Sequence, residues 1–278
     1  MAESLADKVA IVTGGGSGIG EAVSRELARR GARVVVADIR GNEAERVSAA
    51  IADRGGLATA SSIDVSKEQD IRALVADTAS EYGRLDYQFN NAGIVIGGDA
   101  RDLTSGQWRK VLDVNLYGVL YGTLAAYPIM VKQGFGHIVN TSSGAGLVPT
   151  PLNAPYCTAK YAVVGLSLSL RMEGADLGVK VSVVCPGYVR TPIFDTAVVA
   201  GMPQELASRP PGRIKMMDAA EAAQVILGGV ARNQAVIAFP RYVRWAWRAV
   251  CLFPRLLDRS APPQMLELRA NRSTADGT

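Results

Sequence analysis

A tyrosine and a lysine stand four residues apart in the stretch Tyr156-Cys157-Thr158-Ala159-Lys160. On a helix, residues at this spacing share one face, so the phenol and the ammonium come within reach of each other. A phenol has an ordinary pKa of about 10, and a neighbouring positive charge lowers that value. The pair is suited to general acid–base chemistry on an alcohol or a ketone, although taken alone it is also common on helix surfaces.

A serine precedes this pair at the end of a strand-like run. Residues His137–Thr141 are mostly β-branched or apolar, and Ser142 and Ser143 follow them. Ligands of open α/β sheets bind beyond the carboxyl ends of the strands, so this position faces the expected crevice.

A glycine-rich turn, Thr13 to Gly20, follows the first β-branched run and opens a helical pattern. Glycines let the backbone approach a pyrophosphate closely, and a helix N-terminus supplies free N–H groups. Asp38 ends the next strand-like run, eighteen residues after Gly20. A carboxylate there binds ribose hydroxyls and repels a 2′-phosphate, which favours NAD(H). Arg40 could accept a 2′-phosphate, so NADP(H) stays open.

Several motifs in the same order resemble the classical short-chain dehydrogenase/reductase family, over roughly residues 5–195. The family's TGxxxGIG, NNAG and PGxxxT patterns are matched by residues 13–20, 90–93 and 186–191. Its Asn–Ser–Tyr–Lys tetrad maps onto Asn115, Ser143, Tyr156 and Lys160.

The resemblance implies a role for each of these four. Tyr156 exchanges the hydroxyl proton, and Ser143 hydrogen-bonds the reacting oxygen. Lys160 lowers the tyrosine pKa and holds the nicotinamide ribose, while Asn115 positions a water that links Lys160 to solvent. The spacing to Tyr156 selects Ser143 rather than Ser142, which we expect to be structural.

The resemblance also implies a set of dinucleotide contacts. The glycine turn contributes Gly14, Ser17, Gly18, Ile19 and Gly20, and Asp38 contributes the ribose contact. Asp64 and Val65 are expected near the adenine, and Asn90 and Gly93 along the adenosine. Val189 and Thr191, with Pro186 in the same element, are expected near the nicotinamide carboxamide; Tyr156 and Lys160 complete the set.

Short apolar runs alternate with helical patterns along the chain, which implies parallel strands joined by helices. The predicted strands are Val9–Thr13, Arg33–Ala37, Thr59–Ile63, Leu85–Asn90, His137–Thr141, Lys180–Cys185 and Ala235–Phe239. The predicted helices are Ile19–Arg30, Asn42–Arg54, Lys67–Tyr82, Thr104–Gln133, Pro155–Leu177 and Asp218–Asn233. The sequence therefore predicts an α/β fold: a Rossmann-type, doubly wound parallel β-sheet with helices on both faces, in a single domain with a C-terminal helical tail.

We place the catalytic domain at residues 1–240, with residues 193–217 as a substrate loop. Apolar residues around the expected pocket suggest aromatic, steroid-like or terpenoid alcohols or ketones; they are Leu147, Val148, Leu152, Tyr188 and Phe194. A dinucleotide-binding regulatory or scaffold protein without turnover is the alternative. The helices Thr104–Gln133 and Pro155–Leu177 resemble the family's dimer-forming pair, so a homodimer or homotetramer is expected.

The charge is concentrated in the tail. Residues 241–278 hold seven arginines and three acidic residues, whereas the first 240 residues have no net charge. The body therefore gives no support for nucleic-acid binding. In the tail, Arg241, Arg244, Arg248 and Arg255 form one helical stripe, opposite an apolar face. We expect that face to pack on the body, with peripheral contact of residues 241–255 with an anionic membrane as the alternative; the end, from Arg269, is expected to be disordered.

The remaining features exclude other classes. One histidine and three separated cysteines give no pattern for a metal site or a disulfide framework. The N-terminus lacks the pattern of a signal peptide, and we expect no transmembrane helix and a cytoplasmic protein.

Overall fold

A computed structural model describes residues 4–200, 215–257 and 265–266 of the 278. Its first half alternates strands and helices in the order β1 (Val9–Thr13), α1 (Gly18–Arg29), β2 (Arg33–Asp38), α2 (Gly41–Ala52), β3 (Leu57–Ser62), α3 (Glu68–Tyr82), β4 (Tyr87–Asn90) and β5 (Ile96–Gly98). There follow α4 (Ser105–Leu112), a π-helical turn (Asp113–Tyr117), α5 (Gly118–Gln133), β6 (Gly136–Thr141), a 3₁₀ turn (Gly144–Gly146), α6 (Ala154–Glu173) and β7 (Val179–Pro186). The chain continues through β8 (Val198–Ala200), α7 (Ala219–Ala231), β9 (Val236–Phe239), α8 (Arg241–Leu252) and a 3₁₀ turn (Pro254–Leu257).

Seven strands form one parallel sheet in the order β3-β2-β1-β4-β6-β7-β9. The order reverses between β1 and β4, which is where open α/β sheets bind ligands. One core cluster packs α1, α2 and α7 on the sheet, around Leu27, Val47 and Ile226. A second packs α3 and α5 on the opposite face, around Val75 and Met130. The predicted doubly wound fold is confirmed.

The structure contains a short second sheet that the sequence did not predict. β5 and β8 pair in parallel, with Ile96 opposite Val198 and Gly98 opposite Ala200. The predicted substrate loop, residues 193–217, therefore contains a strand, β8, that ties it to the chain after β4; residues 201–214 lie outside the described part. The prediction failed because three-residue strands are too short to show a periodic pattern.

The long helix expected over Thr104–Gln133 contains a change of winding. The π-helical turn Asp113–Tyr117 separates α4 from α5, and it carries the buried Asn115. By length and composition alone Ser105–Gln133 could cross a membrane, although the sequence predicts no transmembrane helix. Ala126 and Met130 are fully buried in the core cluster on the sheet, so this apolar character is that of a core helix.

The tail helix α8 packs on the body with one face. Val243 is 4% exposed, and with Trp247 it joins a core cluster that contains Val163 and Val183. Packing of the apolar face on the body was the favoured expectation, and it is confirmed. The helix ends at Leu252, so Arg255 lies in the following 3₁₀ turn rather than on the helical stripe. The expectation for residues after Arg269 lies outside the described residues.

Candidate active site

The carboxyl end of β6 leads directly into the predicted catalytic serine. The Ser143 hydroxyl hydrogen-bonds the phenol of Tyr156 and accepts the backbone N–H of Ala145 at 3.1 Å. Ser142 turns the other way, and its hydroxyl donates to the carbonyl oxygen of Lys160 at 2.8 Å. Ser143 thus faces Tyr156, and Ser142 ties the strand end to α6, as predicted.

Helix α6 brings Tyr156 and Lys160 onto one face. Pro155 stands in its first turn, where a missing N–H costs nothing. The Lys160 ammonium lies 5.6 Å from the centroid of the Tyr156 ring. Lys160 is only 2% exposed, and its Nζ donates to the carbonyl oxygen of Thr141 at 2.9 Å. The predicted pair is therefore assembled, and a strand-end carbonyl holds the lysine.

The two titratable groups are shifted mainly by burial. Burial raises the pKa of Tyr156 to about 12, although the hydrogen bond from Ser143 acts in the opposite direction. Burial also lowers the pKa of Lys160 to about 8. The sequence predicted a lowered phenol pKa, so that expectation is wrong for the chain alone: loss of hydration of the phenolate outweighs its stabilisation.

Asn115 hydrogen-bonds the backbone of the segment that follows β4. Its Oδ1 accepts the backbone N–H of Ile94 at 3.0 Å, and its Nδ2 donates to the Ile94 carbonyl at 2.9 Å. A Cβ on Gly93 would lie 2.7 Å from Asn115 Oδ1 and 3.6 Å from Lys160 Nζ. The amide therefore fixes the Gly93–Ile94 backbone beside Lys160, and the water-positioning role stays a prediction.

The glycine turn joins β1 to α1 in the predicted geometry. Gly14 has φ +64° and Gly18 has φ +55°, both in the left-handed region. A Cβ on Gly14 would lie 2.8 Å from the Ala92 Cα, and one on Gly18 would lie 3.0 Å from the Thr191 side chain. Ser17, Ile19 and Gly20 begin α1 here, where the first N–H groups of a helix lack partners within it. Free N–H donors in a turn without side chains suit a pyrophosphate, so the residues present fit a dinucleotide.

Asp38 lies against this turn and is 7% exposed. Its carboxylate accepts the backbone N–H groups of Gly16 and Arg40, each at 3.0 Å. Arg40 places its Nε 3.7 Å from the same carboxylate and donates to the Ser17 hydroxyl at 3.0 Å. Asp38 is thus a buried, hydrogen-bonded group at the turn, with the arginine over its outer side.

The other predicted dinucleotide contacts divide into residues on segments that follow strands and residues that pack inside the fold. Thr191 lies against Gly18. Val189, in the same PGxxxT segment as Thr191, forms a backbone bridge to Met217. Asp64 binds the N–H and hydroxyl of Ser66 at 3.0 and 2.7 Å.

Two predicted contact residues, Asn90 and Val65, have side chains that pack inside the fold, and the third, Pro186, is placed by its backbone. Asn90 is 1% exposed, and its Nδ2 donates to Asn140 at 2.9 Å, inside the interface of the sheet with α5. The prediction that it lines the adenosine is therefore not met by its side chain. Val65 packs against Gly118 of α5, and the carbonyl of Pro186 faces Gly144.

The predicted substrate residues divide into those near the 193–217 segment or β5 and those packed in a core cluster. Tyr188 and Phe194 stack with their ring centroids 5.9 Å apart, at the start of the 193–217 segment. The Leu152 carbonyl accepts the N–H of Gly98 at 2.7 Å, so Leu152 adjoins β5. Leu147 is 5% exposed, and it and Val148 pack with the core cluster around Val163, so their place beside a pocket stays a prediction.

Sequence reasoning missed two contributors to the site. Tyr242 of α8 accepts the backbone N–H of Tyr188 at 2.8 Å, and Val243 faces Gly144, next to Ser143. The small residues Gly144 and Gly187 in the two facing segments are the signal that another element approaches closely. Within the described ranges, no three metal-binding side chains are grouped together.

The comparisons with known proteins agree with this geometry. The family model for short chain dehydrogenase matches residues 8–199. The chain belongs to this family. It is an oxidoreductase acting on alcohols, with a nicotinamide dinucleotide as its cofactor.

Two curated relatives illustrate the likeness. The chain is 35% identical to cyclohexanol dehydrogenase of Acinetobacter sp. (strain SE19) over 244 residues, 87% of this chain and 95% of that protein. It is 36% identical to 2,5-dichloro-2,5-cyclohexadiene-1,4-diol dehydrogenase LinX of Sphingobium indicum (strain DSM 16412 / CCM 7286 / MTCC 6364 / B90A) over 214 residues, 77% of this chain and 86% of that protein.

Two solved structures share the fold. A short chain dehydrogenase/reductase from Burkholderia phymatum in complex with NAD superimposes with a TM-score of 0.82 at 28% identity, covering 94% of this chain and 98% of that one. Levodione reductase superimposes with a TM-score of 0.75 at 30% identity, covering 84% and 95%.

Proposed function

We propose that this oxidoreductase transfers a hydride between NAD(H) and a cyclic, largely apolar secondary alcohol or ketone, with Tyr156 as the general acid–base. The observation that carries the proposal is the hydrogen bond of Ser143 to the Tyr156 phenol with the Lys160 ammonium over the same ring, at the sheet edge that also carries the glycine turn. Their convergence is what proton transfer to a bound oxygen needs.

Each side chain has a task that follows from its position. In alcohol oxidation Tyr156 takes the hydroxyl proton, and in ketone reduction it returns the proton. Ser143 donates a hydrogen bond to the same oxygen and keeps it near the phenol. Lys160, held by the carbonyl of Thr141, supplies positive charge near the phenolate and a donor for the ribose. When bound, the dinucleotide supplies or accepts the hydride at its nicotinamide ring.

The choice of NAD(H) rests on Asp38. Its buried carboxylate lies at the turn expected to hold the dinucleotide, where its charge repels a 2′-phosphate. Arg40 remains half exposed beside it. We expect a preference for NAD(H) that the arginine keeps from being absolute.

The substrate class rests on the aromatic pair and on the relatives. Tyr188 and Phe194 offer stacked rings, which suit an apolar ring better than a charged chain. The relatives are named for cyclohexanol and for a dichlorocyclohexadiene diol. Alicyclic secondary alcohols are therefore the first compounds to test, before aromatic, steroid-like and terpenoid ones.

The proposal is tested by following absorbance at 340 nm with alicyclic alcohols and ketones and both dinucleotides. Tyr156→Phe should lower kcat by roughly 10²–10⁴-fold and leave NADH binding, measured by fluorescence, nearly unchanged. Tyr161→Phe is the matched control, because this neighbouring tyrosine of α6 is 41% exposed. Full turnover by Tyr156→Phe would exclude the proposed mechanism. Tight NADH binding with no turnover of any alcohol would favour the non-catalytic alternative.

We also propose that the protein self-associates through α5 and α6. Leu124 of α5, Met172 of α6 and Tyr117 in the turn before α5 are each more than 40% exposed, and Tyr117 stacks on Tyr121 at 6.0 Å. Exposed aromatic residues of this kind are enriched at protein interfaces. Sedimentation velocity should give a homodimer or a homotetramer, and Leu124→Glu should shift it toward the monomer. A wild-type monomer would rule out this interface.

A further inference from the structure

Helix α8 presents two different faces. Its inner face, with Val243 and Trp247, is packed on the body. Its outer face carries Arg241, Arg248 and Trp245, which fall close together at 100° per residue. Because only one side is needed for packing, the outer side is unexplained by the fold.

The outer face is basic. Arg241, Arg244 and Arg248 are exposed, and residues 241–257 contain no acidic residue. In the part of the chain that the structure describes, none of these three arginines forms an ion pair. The first 240 residues carry no net charge, so the net positive charge of the chain comes from the tail.

The same surface exposes large apolar side chains. Trp245 is 60% exposed, Leu252 is 73% exposed and Phe253 is 65% exposed. Leu256 and Leu257 continue it in the following turn. The Arg248 guanidinium lies 5.8 Å from the Trp245 ring, so the cationic and aromatic groups form one patch. Apolar groups concentrated in this way signal a binding surface rather than scattered exposure.

We propose that this outer face of α8 and the following turn, residues 241–257, docks the protein on the surface of a membrane that contains anionic lipids. Arginines bind headgroup phosphates with paired donors. Tryptophan, leucine and phenylalanine enter the boundary between headgroups and acyl chains. The surface offers both kinds of group on one short helix, and it leaves the packed inner face undisturbed.

The charge pattern favours a membrane over a second copy of the chain. A twofold contact through this face would bring its own arginine stripe against an identical one, which is repulsive. It also favours a membrane over nucleic acid, because exposed leucines and phenylalanine find no partner on a phosphate backbone. This contact differs from the membrane contact that the sequence left open. That contact would use the apolar face opposite the arginine stripe, and in the structure this face is buried against the body.

The test is co-sedimentation of the full chain with vesicles. Wild-type protein should bind vesicles of phosphatidylcholine with phosphatidylglycerol, and binding to phosphatidylcholine alone should be weak. Salt at about 1 M should release the protein from the vesicles. The Debye length is then only about 3 Å, so the attraction between the arginines and the anionic headgroups is screened. Inorganic phosphate and sodium chloride are then compared at the same ionic strength, and phosphate should displace no more protein from the vesicles than chloride does. Greater displacement by phosphate would indicate a site for free phosphate rather than a lipid surface.

Two variants separate the charge from the apolar part. Arg241→Gln/Arg244→Gln/Arg248→Gln should weaken binding on the order of 100-fold, at a cost equivalent to about tenfold or less per arginine. Trp245→Ser/Leu252→Ser should weaken it while the salt dependence stays. The matched control is Arg54→Gln/Arg109→Gln/Arg232→Gln, which removes three arginines that are also exposed, elsewhere on the protein.

Circular dichroism and dinucleotide binding verify that each variant is folded. Failure of the wild type to bind anionic vesicles, or equal loss in the control triple, would overturn the proposal. So would a change of oligomeric state in the tail triple without any vesicle binding, because the face would then join two copies. The outcome does not depend on the identity of the alcohol substrate.

Discussion

The phenol oxygen of Tyr242 accepts a hydrogen bond from the backbone N–H of Tyr188 at 2.8 Å, across 54 positions of sequence. A Cβ on Gly187 would overlap that phenol, so α8 lies directly on the segment that precedes Thr191. Tyr188 in turn stacks on Phe194. The tail helix therefore fixes one aromatic wall of the proposed substrate site from outside the catalytic domain.

Tyr242→Phe should raise KM for the alcohol by roughly three- to tenfold, because the ring stays in place and one hydrogen bond is lost. The value of kcat and KM for the dinucleotide should change little, since Tyr242 touches neither Tyr156 nor the glycine turn. Steady-state kinetics with each substrate varied in turn will separate these constants. Tyr161→Phe is the control. If Tyr242→Phe instead lowered kcat three- to tenfold and left KM for the alcohol unchanged, a positioning role would be contradicted.

Asp38→Ser should shift the cofactor preference toward NADP(H). Removing the carboxylate ends the repulsion of a 2′-phosphate and leaves Arg40 beside it. We expect the ratio of kcat/KM for NADP to that for NAD to rise by at least tenfold, about 1.4 kcal/mol. Because Asp38 also binds the N–H of Gly16, the variant should be less stable as well.

The matched variant is Arg40→Ala, which should lower the same ratio. It removes the positive group and retains the carboxylate. A ratio that is unchanged in both variants would mean that neither residue reads the ribose.

Alcohol oxidation should accelerate with rising pH. The pKa of Tyr156 is raised to about 12 in the chain alone, so at neutral pH only a small fraction of the phenol is deprotonated. The positive charge of NAD⁺ lowers that pKa in the complex. Between about pH 6 and the apparent pKa, kcat should rise close to tenfold per pH unit.

Ketone reduction uses the protonated phenol, so its rate should be flat over the same pH range. Lys160→Met removes the nearby positive charge, and it should move the apparent pKa for oxidation upward as well as lower the rate. Measurements in both directions distinguish this from a general loss of activity. A flat oxidation profile in the wild type would argue against a phenolate base.

Much of the site follows from local rules that a sequence displays. Tyr156 and Lys160 meet because helix periodicity puts residues four apart on one face. Ser143 meets them because β6 ends, and the following helix α6 begins, at the edge of the sheet where the parallel strands have their carboxyl ends. The glycine turn follows from residue types that alone allow its backbone angles, at Gly14 and Gly18.

The missed features are those that local patterns do not encode. The π-helical turn around Asn115 shifts the winding without changing the apolar pattern of the long helix. The pKa of Tyr156 depends on how much water the whole fold excludes, and one neighbouring lysine does not decide it. The contact of Tyr242 with Tyr188 joins the tail to a distant turn, and it depends on where β9 delivers the chain.

His137 should make the protein sensitive to acid. This single histidine is 4% exposed, and its Nε2 lies 2.8 Å from the Ser182 hydroxyl, which donates to the Gln234 carbonyl at 2.6 Å. Burial lowers its pKa to about 3, with Lys180 and Arg171 acting in the same direction. The native state therefore keeps the ring neutral.

Because the unfolded chain binds the proton at an ordinary pKa of about 6.5, acid favours unfolding. Below that pH the free energy of unfolding should fall by roughly 1.4 kcal/mol per pH unit from this residue, down to about pH 3. His137→Gln keeps a donor for Ser182 and does not titrate. Urea unfolding at several pH values between about 4 and 7 should show a shallower dependence in this variant. Equal slopes in the two proteins would mean that the ring is protonated at no cost in the folded state.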